Sequence, residues 1–512
     1  KYTKVYYRLN EMKKAKILLI TPNLIGIKDG LNRIQPSLGL MTIAQSLLNN
    51  NHIVKIHDTA LEGWHNKVDL DDNKIMIGQT DEKIEKVIRE FNPDLIGISI
   101  LFSNLNQSGH NIAKIAKKIN KSIIVMIGGN HISNSLIDYQ NNITHPGDKE
   151  PIIKDLEDQN IDFAMIGESD FTIIELVNKI INKQDYSKVP GLLKKISRNK
   201  YKINPSDRVT NLINLPIPAR HLINMEGYFD IGAFHSAKSR SNRVLNIMCS
   251  RGCPEKCTFC TTPQMWGTTV RWRKLEDIMT EIKREVKDFN IGEIQFEDDT
   301  ITARKKNLLA LCKELEKIGL PWCTPNGIKT NYHLANQTEM FQAMRDSGCY
   351  QITLACESGV QRVLDNIINK RLKIDQIKPA IKNAKKVGLL VHTFWILGYP
   401  GETYEEINQT IKFALDSGAD SFSFAILSPL PGTPIYRKVI KENLWWEGRG
   451  LKDLMFRSSL VKVNGFSGPK EFEKFVTEAN IKANMILKDK DPSRFKLKYG
   501  ENSDERSFIK QT

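Results

Sequence analysis

Three cysteines stand in the run Arg251-Gly-Cys253-Pro-Glu-Lys-Cys257-Thr-Phe-Cys260, spaced C-x3-C-x2-C. Three thiolates this close in sequence can ligate three corners of one iron–sulfur cube. The fourth iron then has no protein ligand and is free to bind and reduce a small molecule. Two blander readings compete. Counting Cys249, the run becomes C-x3-C-x3-C-x2-C, and four thiolates can close a zinc site. Zinc sites usually come as two C-x2-C pairs separated by a loop. Here all four crowd into one stretch after the apolar run 244–248. The other rival is a set of unrelated buried thiols. Cys249 ends the apolar run and reads as a core or supporting residue, because a fourth thiolate would close the open iron.

The surrounding chain must position this loop. Residues 241–440 alternate strand patterns (244–248, 293–296, 322–329, 351–356, 390–397, 421–427) with helix patterns (275–289, 306–318, 337–346, 374–387, 404–415, 435–441). Six such units fit a partial barrel, whose chemistry belongs at the C-terminal ends of its strands. The polar clusters fall there: the Cys run, Glu297-Asp298-Asp299, Asn326, Glu357-Ser358 and Gly398-Tyr-Pro400-Gly-Glu402. Residues 15–182 also alternate, with strands at 16–21, 53–57, 94–100, 122–127 and 162–166. The helices there are 38–48, 82–91, 112–119 and 171–181. Near-continuous apolar strands imply a parallel, doubly wound sheet. Ligands sit at the carboxyl ends of such strands, which singles out loops 22–38, 100–106, 128–131 and 167–169. Each loop alone is ordinary turn and cap chemistry. Residues 183–240 read as a connector, with a hairpin over 192–203 turning at Arg198-Asn-Lys and an extended segment over 215–220. Residues 441–512 mix Trp445-Trp446, a helix over 471–487 and a polar tail. They name no chemistry. A solvated helical cap is the leading reading, beside closure of the open barrel or a share in the substrate pocket.

The Cys spacing resembles the radical S-adenosylmethionine (SAM) enzymes. There the open iron chelates the amino and carboxylate groups of SAM, and one electron cleaves SAM to a 5′-deoxyadenosyl radical. The resemblance implies further roles. Phe259, before the last Cys, touches adenine. A carboxylate of Glu297, Asp298 or Asp299 holds the SAM ammonium, as a Gly-Gly-Glu-type segment does; the rival is capping of the next helix by Asp299 or Thr300. Glu357 and Ser358 match a Glu-Ser-Gly segment that meets the ribose or carboxylate of SAM. The turn around Gly398 and Pro400 matches one that packs on adenine. Pro429-Leu-Pro-Gly-Thr-Pro-Ile-Tyr436 matches the stretch closing the sixth unit.

The first half resembles the cobalamin-binding domain found ahead of many radical SAM domains. The matching pieces are Pro36-Ser37-Leu38-Gly39-Leu40, Gly128-Gly129-Asn130-His131 and Gly167-Glu168-Ser169, with Ser103 and Asn104 in the loop between the first two. One departure stands out. The best-known cobalamin proteins carry Asp-x-His-x-x-Gly after the first strand, and that His ligates cobalt. No His occurs here before His52. Many cobalamin-dependent radical SAM proteins also lack it. Asp58-Thr-Ala-Leu-Glu-Gly63 mimics the motif but follows the second strand.

Composition sets outer bounds. At 512 residues the chain can hold several cores, most simply two domains and a tail. No stretch approaches the ~20 apolar residues needed to span a bilayer. The opening Lys-Tyr-Thr-Lys lacks the apolar core of a signal peptide. Eight Cys fit a reducing, cytoplasmic setting better than a disulfide scaffold. The net charge of +15 favours anionic partners. It comes without a long basic block, an aromatic array or an RNA-binding module, so no specific nucleic-acid partner is expected.

The resulting expectation is an α/β chain: a Rossmann-like parallel sheet (1–182), a connector (183–240), a partial (β/α)6 barrel (241–440) and a mainly helical C-terminal region (441–512). The resemblance implies a cobalamin-dependent radical SAM methyltransferase using a 4Fe–4S cluster, SAM and cobalamin. An sp³ C–H bond has no useful acidity, so a base cannot prepare it. A 5′-deoxyadenosyl radical can take the hydrogen atom, and the carbon radical can then take a methyl group from methylcobalamin. One SAM remethylates cob(I)alamin and a second supplies the radical, with electrons from an external flavodoxin- or ferredoxin-type donor. The basic balance points to an anionic small substrate: phosphorylated, phosphonate or a lipid head group. Three alternatives stay open: a cobalamin radical SAM enzyme that rearranges, cyclises or couples, a cobalamin-free radical SAM enzyme, and a non-catalytic corrinoid or iron–sulfur carrier. Methylthiolation is disfavoured, because residues 1–248 contain no Cys for a second cluster. After anaerobic cofactor loading, corrin bands above a broad iron–sulfur shoulder are expected in the absorption spectrum; a shoulder without corrin would favour the cobalamin-free alternative.

Overall fold

Strand Lys16–Thr21 is buried through its centre, and it organises the first half of the molecule. The computed structural model describes residues 13–28, 32–141, 143, 151–197, 200–236, 239–329, 338–490 and 492. The first sheet has seven strands in the spatial order Lys200–Ile203, Leu192–Ser197, Phe163–Met165, Ile124–Gly128, Leu95–Ser99, Lys16–Thr21, Ile53–Asp58. The last five are mutually parallel, and the hairpin 192–203 joins antiparallel. Separate apolar clusters cover the two faces, as a doubly wound sheet requires. The strand order reverses between Lys16–Thr21 and Leu95–Ser99, so the loops after these two strands open a crevice.

Three features differ from the sequence expectation. The segment read as a connector extends the first sheet through its hairpin, whose turn residues Arg198 and Asn199 lie outside the described residues. The loop after the first strand contributes Leu24–Ile27 to a small antiparallel sheet with Lys67–Asp69 and Lys74–Ile77. The Gly-Gly-Asn-His turn opens a helix, Asn130–Gln140, rather than a simple loop. That helix buries Ser133, Asn134, Ser135 and Asp138. A buried face this polar carries no apolar period to detect.

The second half holds six parallel strands in chain order: Val244–Ile247, Glu293–Phe296, Trp322–Ile328, Cys349–Glu357, Leu390–Leu397 and Ser421–Ile426. In the fifth, Trp395 packs on Phe413 of helix Tyr404–Leu415, with ring centroids 6.0 Å apart. Alternation along the strand turns His392, Phe394 and Ile396 the other way, towards the lumen. Arg220, at the end of the extended segment, is fully buried against Glu281 (2.6 Å) and the Asn246 carbonyl (2.7 Å).

The C-terminal region covers the open edge of the barrel. Phe424 N donates to Asn480 Oδ1 at 3.0 Å, and Asn480 Nδ2 donates to Phe424 O at 2.9 Å. The side chain thus satisfies an edge strand that would otherwise be exposed. Asn480 lies on helix Pro469–Lys490. Ile426 N donates to Phe456 O (2.8 Å), which brings the segment before that helix to the barrel mouth. Among the described residues no helix is long and apolar enough to cross a membrane, and all eight Cys are free thiols.

Gly398 is where this covering packs most closely. Its φ is +86°, and a Cβ there would lie 2.6 Å from the Phe472 ring. Gly398→Ala should therefore cost roughly 1–3 kcal/mol through overpacking. A thermal melt checks this; an unchanged melting temperature would mean that the C-terminal helix yields freely.

Candidate cofactor site between the two sheets

The Cys run forms a loop with little regular structure, held by side chains from several directions. At its entrance Cys249 N donates to Asp298 Oδ2 (3.0 Å), and the Ser250 hydroxyl donates to the other oxygen of the same carboxylate. Burial pushes the Asp298 carboxyl up to about 7. At the exit the Thr262 hydroxyl donates to Asp299 Oδ1 at 2.8 Å. In the middle, Glu255 receives Lys329 Nζ at 2.7 Å, both side chains being buried. Thr258 donates its N–H to Ile368 O (2.9 Å) and its hydroxyl to Ile367 O (2.7 Å).

Cys249 is fully buried in the apolar core. Among the described residues, no three His, Cys, Asp or Glu side chains converge as ligands of a single ion. A cube spreads its thiolates around its corners, which a C-x3-C-x2-C loop can match. The Glu255 N–H donates to the Cys253 sulfur and the Thr262 N–H to that of Cys260, as suits sulfurs that take on negative charge. Burial pushes Cys253 up to about 11 and Cys257 up to about 12, and raises Cys260 as well. The loop therefore holds thiols until a metal deprotonates them.

The expected SAM residues divide. Glu297 Oε2 accepts from His235 at 2.8 Å, while its buried Oε1 has no partner. That orphaned carboxylate oxygen fits an ammonium. Asp298 has both oxygens engaged by the Cys loop, so it is a loop anchor rather than a free SAM contact. Neither Asp299 nor Thr300 caps the following helix, Lys305–Ile318, whose N-cap Arg304 makes no side-chain cap bond. Glu357 ends its strand with φ +65°, a conformation that aims a non-Gly side chain unusually. It accepts from Lys370 Nζ at 2.9 Å, and both are buried. Burial alone would lower the Lys370 pKa, but the Glu357 carboxylate outweighs it and keeps the ammonium charged. Lys370 and Lys329 escape sequence reasoning, since nothing separates them from the chain's many other Lys. Ser358 is buried, with its hydroxyl 3.1 Å from that of Thr410, and steadies the turn from inside. Phe259 lies 6.0 Å from Tyr399. The N–H groups of Gly398 and Tyr399 both donate to Glu402 Oε2 (2.8 and 3.1 Å), and the Pro400 carbonyl faces Lys438 Nζ at 3.4 Å.

The expected cobalamin loops meet the Cys loop from the other sheet. Leu101, Ser103, Asn130, His131 and Asn134 share a small cavity with Thr261, the neighbour of Cys260. Leu38 and Gly39 line a second cavity with Met248, Arg251 and Trp266. A Cβ at Gly39 would meet nothing within 4 Å. The buried amide oxygens of Asn104 and Asn134 lack partners. These openings and orphaned acceptors fit a corrin, whose rim carries amide donors. Pro36 O accepts from Asn246 Nδ2 (2.8 Å), tying the loop before Ser37 to the barrel. Gly128 O receives Ile100 N (2.8 Å), and Gly129 takes φ +103° against the Ile100 carbonyl. His131 is buried, with Nδ1 2.9 Å from the Ser103 hydroxyl and Nε2 3.8 Å from an Asp155 carboxylate oxygen. Glu168, after Gly167, pairs with Arg251 and Arg271 instead of facing a cavity.

Comparison with known proteins agrees with this geometry. The chain matches the Radical SAM superfamily model over residues 247–414 and the B12 binding domain model over residues 31–145. It is 31% identical to cytidylyl-2-hydroxyethylphosphonate methyltransferase of Streptomyces wedmorensis, covering 91% of this chain and 89% of that one. It is 30% identical to an uncharacterised methyltransferase of Pyrococcus horikoshii, covering 85% of each. Its fold is similar to those of the methyltransferase TsrM from Kitasatospora setae (TM-score 0.62, 14% identity, 84% of this chain and 78% of that chain) and the cobalamin-dependent radical enzyme OxsB (TM-score 0.67, 14% identity, 99% and 74%).

Replacing Cys253, Cys257 or Cys260 singly by Ala should abolish SAM cleavage and lower bound iron, whereas Cys249→Ala should retain the cluster. Iron analysis decides, and cluster loss in Cys249→Ala would restore the four-thiolate reading. Glu297→Gln should weaken SAM binding at least tenfold, because a charge-assisted bond contributes roughly 1.5–3 kcal/mol and ~1.4 kcal/mol is a factor of ten. Equilibrium binding of SAM with an intact cluster spectrum is the measurement.

Proposed function

The chain belongs to the cobalamin-dependent radical SAM methyltransferases, with a 4Fe–4S cluster, SAM and cobalamin as cofactors, and on that premise we propose that it methylates an unactivated carbon of a small anionic substrate of the phosphonate class. The observation that carries the anionic class is Arg33. This residue lies in the crevice loop after the first strand. It is accessible yet ringed by protein, so that burial first, and then the charge of Arg457, lower its pKa, with Glu297 opposing. Arg457 comes from the C-terminal segment whose Phe456 carbonyl is bound at the end of the last barrel strand. Arg33 and Arg457 bring two positive charges close enough to act on one another, a setting that favours an anionic ligand nearby. The Streptomyces relative, named for a cytidylylated phosphonate, supports the finer class.

When bound, the cluster and SAM supply a hydrogen-abstracting radical and cobalamin supplies the methyl group. The protein's own part is positional. Cys253, Cys257 and Cys260 would hold three irons. Glu297 would take the SAM ammonium through its orphaned oxygen. Phe259 and Tyr399 place aromatic surface beside the Cys loop and exclude water. Loops 100–105 and 128–131 would seat the corrin. Removal of a hydrogen atom needs no strong base, and in the lumen His392 is held by the hydroxyls of Ser421 (2.8 Å) and Ser423 (3.2 Å).

Anaerobic incubation of the loaded enzyme with cytidylyl-2-hydroxyethylphosphonate and with simpler phosphonates and phosphate esters tests the proposal. One of these anions should gain one methylene by mass, and Arg33→Gln should raise its KM tenfold or more while SAM cleavage persists. Methylation only of neutral compounds, or an unchanged KM in Arg33→Gln, would count against the anionic class.

A further inference from the structure

The Gly-Glu-Ser segment and the Cys run were expected to serve different cofactors, yet their charged side chains are joined. Arg251, two residues before Cys253, forms a two-pronged pair with Asp170 at 2.7 and 3.0 Å. The same guanidinium reaches Glu168 at 3.0 Å. Arg271 grips Glu168 from the other side, at 2.7 and 3.0 Å. Every one of these side chains is 9% exposed or less. Arg251 also lies 4.7 Å over the Trp266 ring. The two arginines face each other across a two-stranded ribbon, Ser250–Arg251 with Arg271–Trp272, that brackets the Cys loop. Glu168 and Asp170 follow Phe163–Met165, the last parallel strand of the first sheet. Two cations and two anions balance, so the cluster can be buried without net charge.

A second tie spans the same boundary. Asp138, on helix Asn130–Gln140, is fully buried and accepts the Gly432 N–H at 2.6 Å; Arg437 lies 3.6 Å away. Close in sequence to the second tie is the small cavity shared by Ser103, Asn130, Asn134, Thr261 and Leu430.

We propose that the Arg251–Asp170–Glu168–Arg271 cluster is a positioning device: it sets the cobalamin loops at a fixed place relative to the Cys loop, and so couples radical formation to methyl transfer. The physical reason is directionality. An apolar contact would hold two sheets together in many placements, whereas bidentate ion pairs shielded from water hold one. Methyl transfer demands this, because one substrate carbon must be reachable from both sites, and displacement by about 1 Å costs on the order of a hundredfold in rate. Cleavage of SAM needs only groups of the barrel itself. The inference rests on the reading that one substrate is served from both sites.

The test uses the full chain with cluster and cobalamin loaded. Asp170→Asn leaves the barrel untouched and removes one charge of the four. It should keep iron and corrin contents and form 5′-deoxyadenosine within about twofold of the parent rate. Methylated product per 5′-deoxyadenosine should fall tenfold or more. Electron paramagnetic resonance should show altered spin–spin coupling between cob(II)alamin and the reduced cluster. Arg271→Lys, which keeps the charge but loses the two-pronged grip on Glu168, should lower the product ratio as well. An unchanged ratio and coupling in Asp170→Asn, or parallel loss of both products with loss of corrin, would overturn the proposal and leave an ordinary structural contact. If Asp170→Asn does not fold, Arg271→Gln is read by the same two measurements. The resonance arm needs no substrate, so it separates failure of this inference from failure of the phosphonate reading.

Discussion

A loop that must present three thiols cannot rely on a hydrophobic core for its shape, because the sulfurs have to face an opening. Polar side chains impose the shape here instead. Asp298 and Asp299 grip the loop's two ends, and the Glu255–Lys329 pair pins its middle. Buried ion pairs are costly to desolvate and strongly destabilising to break on one side. Their use at this loop trades stability for a defined geometry. Lys370 adds a buried ammonium beside Cys257, paired with Glu357 at 2.9 Å. The charge environment of the thiols is therefore set jointly by Asp299, after the second strand, and by Glu357 and Lys370, from the fourth strand onward.

The same logic extends across the molecule. The C-terminal ends of both parallel sheets face one another, which follows from the rule that such sheets open their ligand crevices at that end. The faces are held by a shared apolar cluster that takes in Ile34, Ala60 and Leu61, and by polar ties: the four-charge cluster at Arg251, the Asp138–Gly432 bond, and the bond from Tyr228 to Asp58 at 2.6 Å. The C-terminal region completes the enclosure. It satisfies the edge strand through Asn480, packs Phe472 against Gly398, and ties itself to the small N-terminal sheet through the buried pair Lys74–Asp453 at 2.6 Å. Of the readings weighed from sequence, closure of the barrel edge describes it better than a solvated cap.

The sequence by itself determined the class of fold and the nature of the chemistry. Alternating apolar strands and amphipathic helices dictate parallel sheets, and three thiols within eight residues point to a shared metal centre, because both signals are local in the chain. Only the tertiary structure decided how the charged residues divide their work. Glu297, Asp298 and Asp299 are adjacent in sequence and chemically alike, yet Glu297 and Asp299 each keep a buried oxygen without a partner while Asp298 is bound by the loop through both. Glu168 looked like part of a ligand loop and instead meets two arginines about a hundred residues away. Helix Asn130–Gln140 escaped detection because its buried face is polar. The physical reason is common to all three. Periodicity and spacing report on neighbours along the chain, whereas the fate of a buried charge or amide depends on which partner the fold brings within hydrogen-bond reach, and that partner leaves no mark on the local sequence.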